Sequence, residues 1–192
     1  MDIRTKKLKS TAGFTLAEVL IAVVILVMIT ATALPAAMKA YQNAVDAANA
    51  QVLLSNTVDA LRGELSTAWD VKVDNANNTI TYKSSATGGV SVLSIVDHVI
   101  MLQEYQPEAD AGWWDAATDK TTVPIRPLVS EAMRRTTGNG GKLMVAEYEG
   151  AELSDNEEYV IIKQLTIQRG GKVIASMPKE TDLMIRIMTK TK

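Results

Sequence analysis

One carboxylate lies inside the most apolar stretch of the chain. Glu18 is the only charged side chain in a run of 25 residues, 14–38. A charged residue at the centre of a membrane helix costs about 2.5–3.5 kcal/mol, and less near an end, so it usually has a partner. Pairing with a positive charge is therefore the chemistry that Glu18 predicts. The alternative is an ordinary anchor in which Glu18 lies near the membrane interface.

Side chains suited to catalysis or metal binding are scarce elsewhere. The chain has no cysteine and one histidine, His98, which excludes disulfides, cysteine–histidine pairs and multi-histidine metal sites. His98 lies in a β-branched run and Asp97 should face the other side of a strand, so we expect a histidine in or near the core. Acidic clusters at 74–78 and 155–158 lack calcium-loop spacing and are interpreted as solvated turns. We predict no catalytic residue, no metal site and no cofactor.

Two residue pairs could mark a binding surface. Trp113 and Trp114 lie in a Gly- and Asp-flanked loop, where they could anchor a partner or, as we favour, pack under the loop. Arg134 and Arg135 form the only basic doublet after the first 13 residues, and we expect them on a solvated helix or loop face. Because the chain is mildly acidic, with a net charge of -2, we expect no nucleic acid partner.

The apolar run has the length of a membrane-spanning helix. Its 25 residues would extend roughly 37 Å, more than a hydrocarbon core of about 30 Å. The apolar part of a secretory signal is only about 7–15 residues long. Arg4, Lys6, Lys7 and Lys9 precede the run, so the N-terminal end of the helix should face the cytoplasm.

Residues 13–26, GFTLAEVLIAVVIL, closely resemble the type IV prepilin signature. In that family a dedicated aspartyl peptidase cuts after the glycine and methylates the new N-terminal phenylalanine. The resemblance implies cleavage between Gly13 and Phe14, followed by N-methylation of Phe14. It also implies that Glu18 neutralises the terminal amine of a neighbouring subunit. Pro35 matches a proline that kinks the helix in this family.

Charge pairing gives this assembly scheme a physical basis. Cleavage would leave a positive amine at the end of a membrane helix, with Glu18 just over one turn away. The resemblance implies four kinds of protein partner: other pilin subunits, the prepilin peptidase, an assembly platform and its ATPase. It implies a single-pass protein of the bacterial cytoplasmic membrane, N-terminus in the cytoplasm, that reaches an extracytoplasmic, cell-surface pilus after assembly.

The sequence as a whole predicts an α+β fold. A long N-terminal transmembrane and amphipathic helix packs on a C-terminal antiparallel β-sheet, as in the pilin fold. The predicted parts are a leader at 1–13, a transmembrane or filament-core helix at 14–38, an amphipathic helix half at 39–68 and an extracytoplasmic β-sheet headpiece at 69–192. Steps of three and four predict a buried helix stripe. Its members are Tyr41, Val45, Ala48, Val52, Leu54, Val58, Leu61, Leu65 and Ala68.

Alternation and turn composition predict the strands of the headpiece. They are 69–74, 79–83, 90–102, 142–148, 159–168, 172–175 and 183–189. Turn residues at 74–78 and a diglycine at 170–171 predict two hairpins. Residues 104–141 are irregular, with a possible short helix at 128–135.

The sequence therefore predicts a structural subunit, a minor pilin or pseudopilin, and not an enzyme. Two alternatives stay open. The chain could be a pseudopilin of type II secretion or of competence DNA uptake. It could also be a membrane-anchored extracytoplasmic binding module that does not polymerise, in which case Glu18→Ala would have no effect.

Overall fold

A computed structural model describes residues 14–86, 88–105, 125–135, 142–178 and 181–188. The chain divides into two units, Met1–Asn43 and Ala44–Lys192, here called the N-terminal and the C-terminal unit. Because Trp113, Trp114 and the Gly-rich stretch 138–141 lie outside the described residues, the predictions made for them stay predictions.

Helix α1, Leu16–Ser66, is the first element and contains Pro35. It is long and apolar enough to cross a membrane. From residue 14 to residue 40 every side chain is exposed, although most are apolar. The hydroxyl groups of Thr30 and Thr32 donate to backbone carbonyls of the preceding turn. This bonding leaves no threonine hydroxyl unsatisfied in an apolar surrounding.

One face of α1 forms part of the core of the C-terminal unit. Its buried residues are Asp46, Ala50, Leu53, Leu54, Thr57, Leu61 and Leu65. The predicted stripe is confirmed at Leu54, Leu61 and Leu65, but its first half is wrong. Val52 is 60% exposed and Ala48 is exposed. At about 100° per residue the two halves of the predicted stripe lie on different faces, and the core takes the face of the second half.

Eleven strands occur in the described residues. They are β1 Ala68–Asp74, β2 Thr79–Ser84, β3 Val90–Val96, β4 Val99–Tyr105, β5 Arg126–Pro127, β6 Val145–Glu147, β7 Gly150–Leu153, β8 Tyr159–Lys163, β9 Thr166–Arg169, β10 Lys172–Ser176 and β11 Leu183–Arg186. A one-turn helix, α2 Glu131–Arg134, follows β5.

The strands form three antiparallel sheets, ordered β1-β2-β3-β4-β5, β10-β9-β6 and β11-β8-β7. The predicted α+β class is confirmed, with three sheets in place of one. The predicted hairpins β1–β2 and β9–β10 are confirmed by direct pairing. The short strands β5 and β7 were not predicted, while β6 and β11 are shorter than predicted.

Two long predicted strands are each divided by a turn. The run 90–102 folds back at Asp97 and His98, whose φ angles are +50° and +63°, so that Val96 pairs with Val99. Positive φ at both turn residues matches the twist of adjoining strands. The run 159–168 is interrupted near Gln164, where φ is +48°, and its halves join different sheets.

Polar side chains link the helix to the sheets of the C-terminal unit. Asp46, almost completely buried, forms an ion pair with Arg169 at the end of β9. Tyr82 donates a hydrogen bond to Glu64 Oε2 at 3.2 Å, and burial raises the pKa of this tyrosine above its ordinary range. Buried charges and buried hydroxyl groups both need close partners, so these contacts fix the position of α1 against the sheets.

A buried lysine lies in the first hairpin. Lys83 Nζ is 2.9 Å from Asp70 Oδ2 and 4.8 Å from the centroid of the Trp69 ring. Asp70 has φ +55° at an irregularity in the β1–β2 register. The irregularity therefore places a carboxylate beside the buried lysine charge, which a nearby anion stabilises.

Candidate functional site at the start of helix α1

The apolar helix begins immediately after Thr15. The backbone N–H of Val19 donates to the Thr15 carbonyl at 3.2 Å, which is the first hydrogen bond of the helical ladder. Leu16 and Ala17 occupy the first two helical positions, and both residue types favour helix. Glu18 occupies the third. This order of residue types is the signature of a helix N-terminus that satisfies its own backbone donors.

Thr15 and Glu18 bond each other reciprocally. Thr15 Oγ1 accepts a hydrogen bond from the Glu18 N–H at 3.2 Å. Glu18 Oε2 accepts from the Thr15 N–H at 2.9 Å and from the Thr15 hydroxyl at 3.0 Å. The pair is a capping box, which satisfies two backbone N–H groups that the helix itself leaves without partners.

The capping box gives the Glu18 carboxylate a favourable place in an apolar helix. The N-terminus of a helix carries a partial positive charge, which stabilises a nearby anion. Oε2 makes all the hydrogen bonds of this carboxylate in the described part of the chain, and Oε1 makes none there. One oxygen is therefore held by the helix start, while the other can accept a bond from outside the subunit.

The structure describes only some of the residues that were predicted to act in processing and assembly. Phe14 is 86% exposed and lies one residue before Thr15, outside helix α1 and four residues before Glu18. Pro35 lies within α1, far along the helix from this turn, and the kink predicted for it stays a prediction. Outside the described residues lie Gly13 and the basic residues of the leader, Arg4, Lys6, Lys7 and Lys9.

Thr15 is the residue that the sequence prediction lacked. No role was assigned to it beyond its fit to the prepilin signature. A Thr-x-x-Glu pattern before an apolar run is the sequence signal of a capping box, and Thr15-Leu16-Ala17-Glu18 has this pattern. The pattern alone therefore contained the information that the structure now gives as distances.

The prediction of a core histidine is wrong. The His98 side chain is 71% exposed, and its Nδ1 lies 3.1 Å from Glu147 Oε2. Gln168 Nε2 donates to the same carboxylate oxygen at 3.1 Å. Asp97 and His98 form the β3–β4 turn and do not alternate across a strand. The contact joins the tip of this hairpin to β6.

Both acidic clusters form hydrogen-bonded turns. The Asp74 carboxylate accepts bonds from Asn77 Nδ2 at 2.7 Å and from the Ala76 N–H at 2.9 Å. The first of these bonds is the main cause of the lowered pKa of Asp74. In the second cluster, Ser154 donates to Asn156 Oδ1 at 2.8 Å. No group of three or more metal-ligating side chains occurs among the residues that the structure describes.

The prediction of a solvated arginine doublet is wrong at one position. Arg134 is buried, with 8% of its surface exposed, and lines a small cavity together with Thr57 of α1 and Val129. Arg135 is exposed and pairs with Glu131 at 3.1 Å, one helical turn earlier. Helix α2 ends at Arg134 and the backbone of Arg135 is extended, so one arginine faces the core and the next faces solvent.

Comparison with protein families finds a known motif at the start of the chain. Residues 8–34 match the prokaryotic N-terminal methylation motif, a range that includes Gly13, Phe14 and Glu18. This motif belongs to a class of structural proteins and not to an enzyme family. No curated protein and no solved structure matches the chain. The motif, together with a long apolar N-terminal helix followed by antiparallel sheets, supports a type IV pilin-like prepilin. The motif implies association with other pilin subunits and with the membrane.

Proposed function

We propose that the protein is a minor pilin or pseudopilin, a structural subunit of a type IV pilus-like filament. One observation carries the proposal. Within the methylation motif, the Glu18 carboxylate is held by Thr15 at the start of an apolar helix whose side chains are exposed. An acid at this position is costly in a helix that serves only as an anchor. A carboxylate at this position is useful where the helix start must bind a positively charged group.

Processing supplies that positive charge. Hydrolysis of the peptide bond between Gly13 and Phe14 frees the amine of Phe14, which the peptidase then methylates. The new amine is one residue from the Thr15 N–H, which already donates to Glu18 at 2.9 Å. In a medium of low dielectric constant, opposite charges attract strongly, so Glu18 pairs with such an amine, and in the filament with that of a neighbour.

The remaining parts of the proposal follow from the motif and the charges. The basic leader stays in the cytoplasm, helix α1 crosses the cytoplasmic membrane once, and the C-terminal unit lies outside it. The prepilin peptidase, an assembly platform and an ATPase act on this chain in turn. Pro35 removes one backbone hydrogen bond and bends the helix. Assembly moves the subunit from the membrane to a pilus at the cell surface.

The N-terminal residue of the assembled protein tests the processing step. We expect mass spectrometry of the membrane and filament fractions to show a chain that begins at Phe14 with one added methyl group. Gly13→Leu should leave the leader attached, since the peptidase of this family cuts after a glycine. Retention of Met1 in the assembled protein would overturn the proposal.

Variants at Glu18 separate a filament subunit from an anchored module that does not polymerise. We expect Glu18→Ala to be cleaved normally and to be lost from filaments, because the amine of the neighbour has no anionic partner. Glu18→Asp is the matched control that keeps the charge, and it should retain part of the assembly. Absence of both wild type and Glu18→Ala from filaments would favour the anchored module, and full incorporation of Glu18→Ala would contradict the pairing role of Glu18.

A further inference from the structure

A cavity of about 200 Å³ opens beside the β9–β10 hairpin of the C-terminal unit. Its lining includes Thr166 of β9 and both Val173 and Ser176 of β10. The segment between β10 and β11 contributes Pro178 and Asp182. None of the described lining residues belongs to helix α1 or to the methylation motif. The cavity is therefore a feature of the C-terminal unit that the proposed filament function does not use.

Backbone hydrogen bonds bring the lining segments together at the break between β8 and β9. Gln164 adopts a φ of +48° at this break and lines the cavity. Just before it, the Lys163 carbonyl accepts a hydrogen bond from the Glu149 N–H at 3.1 Å. Just after it, the Leu165 carbonyl accepts one from the Met177 N–H at 3.0 Å. Because Glu149 and Met177 both line the cavity, these bonds hold two of its segments in place.

The lining of the cavity combines apolar and anionic groups. Val173, Met177 and Pro178 are apolar, and half of the Val173 surface is exposed. Glu149 and Asp182 are acidic, and no lysine or arginine occurs among the described lining residues. A ligand that matches this lining carries a positive charge with an apolar part next to it.

The two carboxylates have no direct partner in the described part of the chain. Glu149 makes only a backbone hydrogen bond there, and Asp182 makes neither a hydrogen bond nor an ion pair. The charge of Asp182 contributes to the raised pKa of Lys163, but the main cause is the hydrogen bond of this lysine to Glu152. Because the Lys163 ammonium is already paired with Glu152, the acids of the cavity can receive a cation from outside.

We infer that the cavity binds the side chain of a lysine from a partner protein. The methylene groups of this lysine lie against the three apolar residues, and its ammonium pairs with the two carboxylates. Lysine fits better than arginine, because the two acids come from separate segments. An ammonium donates in three directions, whereas a guanidinium needs two oxygens in one plane.

Other cations match the lining less well. A metal ion needs more ligands than two carboxylates beside an apolar wall provide, and no group of three metal-ligating side chains occurs among the described residues. A free amine would stay largely exposed, since most of the described lining residues are themselves exposed. A protein that presents a lysine also covers the rim of the cavity, which strengthens the ion pairs by excluding water.

Binding of short peptides to the full chain in uncharged detergent micelles tests this site. The probe is acetyl-Gly-Lys-Gly-amide, followed by NMR through the backbone amide signals of Thr166, Val173 and Ser176. The same peptide with norleucine is the matched control, because it keeps the hydrocarbon stem and lacks the ammonium. We expect the lysine peptide to bind roughly tenfold more tightly than the control and to lose affinity as salt is added.

Neutral variants locate the site within the chain. Glu149→Gln combined with Asp182→Asn keeps the shapes of both side chains and should weaken binding of the lysine peptide roughly tenfold. Asp155→Asn, at an exposed acid outside the cavity, is the control and should bind as wild type does. All three positions are exposed, so we expect unchanged unfolding midpoints for these variants.

The possible results separate the candidate ligands. Absence of binding by the lysine peptide, equal binding of the norleucine peptide, or full binding by the neutral variant would overturn the lysine site. Equal binding of the arginine peptide would reject lysine as the recognised group. Tighter binding of pentylamine would reject a protein partner in favour of a free amine. None of these results bears on filament incorporation, which the Glu18 variants test separately.

Discussion

The two units of the chain treat apolar side chains in opposite ways. In the N-terminal unit, Leu20 and Ile25 are 58% and 52% exposed, and no residue from 14 to 40 is buried. In the C-terminal unit, Leu61 and Leu65 of the same helix are completely buried. Helix α1 therefore contains apolar residues that no other described residue buries and equally apolar residues that form the core of the C-terminal unit.

The difference shows where each part obtains its stability. Removal of apolar surface from water stabilises by about 25 cal/mol per Å², whether the same chain or lipid covers that surface. The C-terminal unit gains this energy by folding. The N-terminal unit gains this energy only when its surroundings cover the helix. Its apolar side chains therefore reflect the environment of the helix and not contacts among the described residues.

The largest loss of stability is expected when the buried ion pair of the C-terminal unit is broken. Asp46→Asn leaves the Arg169 charge buried without an anionic partner, which costs about 3–5 kcal/mol. Urea unfolding of the full chain in detergent micelles, compared with wild type, measures this loss. Replacement of both residues, Asp46→Leu with Arg169→Met, should recover most of it. An unaltered midpoint for Asp46→Asn would show that the pair contributes little.

A matched pair of apolar truncations compares the two units directly. Leu61→Ala creates a cavity in the core and should lower the free energy of unfolding by about 2–5 kcal/mol. Ile25→Ala, at an exposed site of the same helix, should leave the unfolding of the C-terminal unit unchanged. Equal effects of the two substitutions would mean that the units do not differ as described.

Alkaline pH should destabilise the C-terminal unit alone. Burial raises the pKa of Tyr148 from its ordinary value of 10 to about 12. The unfolded chain therefore loses this proton first, so the stabilisation is complete below pH 10 and is lost as the pH rises towards 12. Unfolding midpoints measured from pH 9 to pH 12 should fall less for Tyr148→Phe than for wild type. Tyr41→Phe, at an exposed tyrosine of the N-terminal unit, should follow wild type.

The smallest effect is expected at the capping box. Thr15→Ala removes the side chain that caps the helix and should cost about 1 kcal/mol at the helix start. Amide hydrogen exchange of Glu18 in micelles should become about fivefold faster. Thr15→Ser keeps the hydroxyl and serves as the control. Unchanged exchange in Thr15→Ala would show that Glu18 does not depend on this cap.

Prediction from the sequence succeeded where structure depends on near neighbours. The turns at 74–78 and 170–171 contain Asn, Asp or Gly, and both hairpins formed as predicted. It failed at His98 and Gln164, where residues other than Gly adopt positive φ. Asp and His adopt positive φ more often than most residues, so Asp97 and His98 carried a weak turn signal inside a β-branched run, whereas Gln164 carried none.

The sequence by itself determined the membrane helix, the methylation motif and the capping box, since each depends on residues within one or a few turns. Only the tertiary structure decided which face of α1 is buried. Asp46 faces the core because Arg169, distant in sequence, meets it there, and Val45, Ala48 and Val52 consequently face outward. A helix shows its apolar positions in its sequence, but what covers them depends on surfaces that other segments, or other molecules, provide.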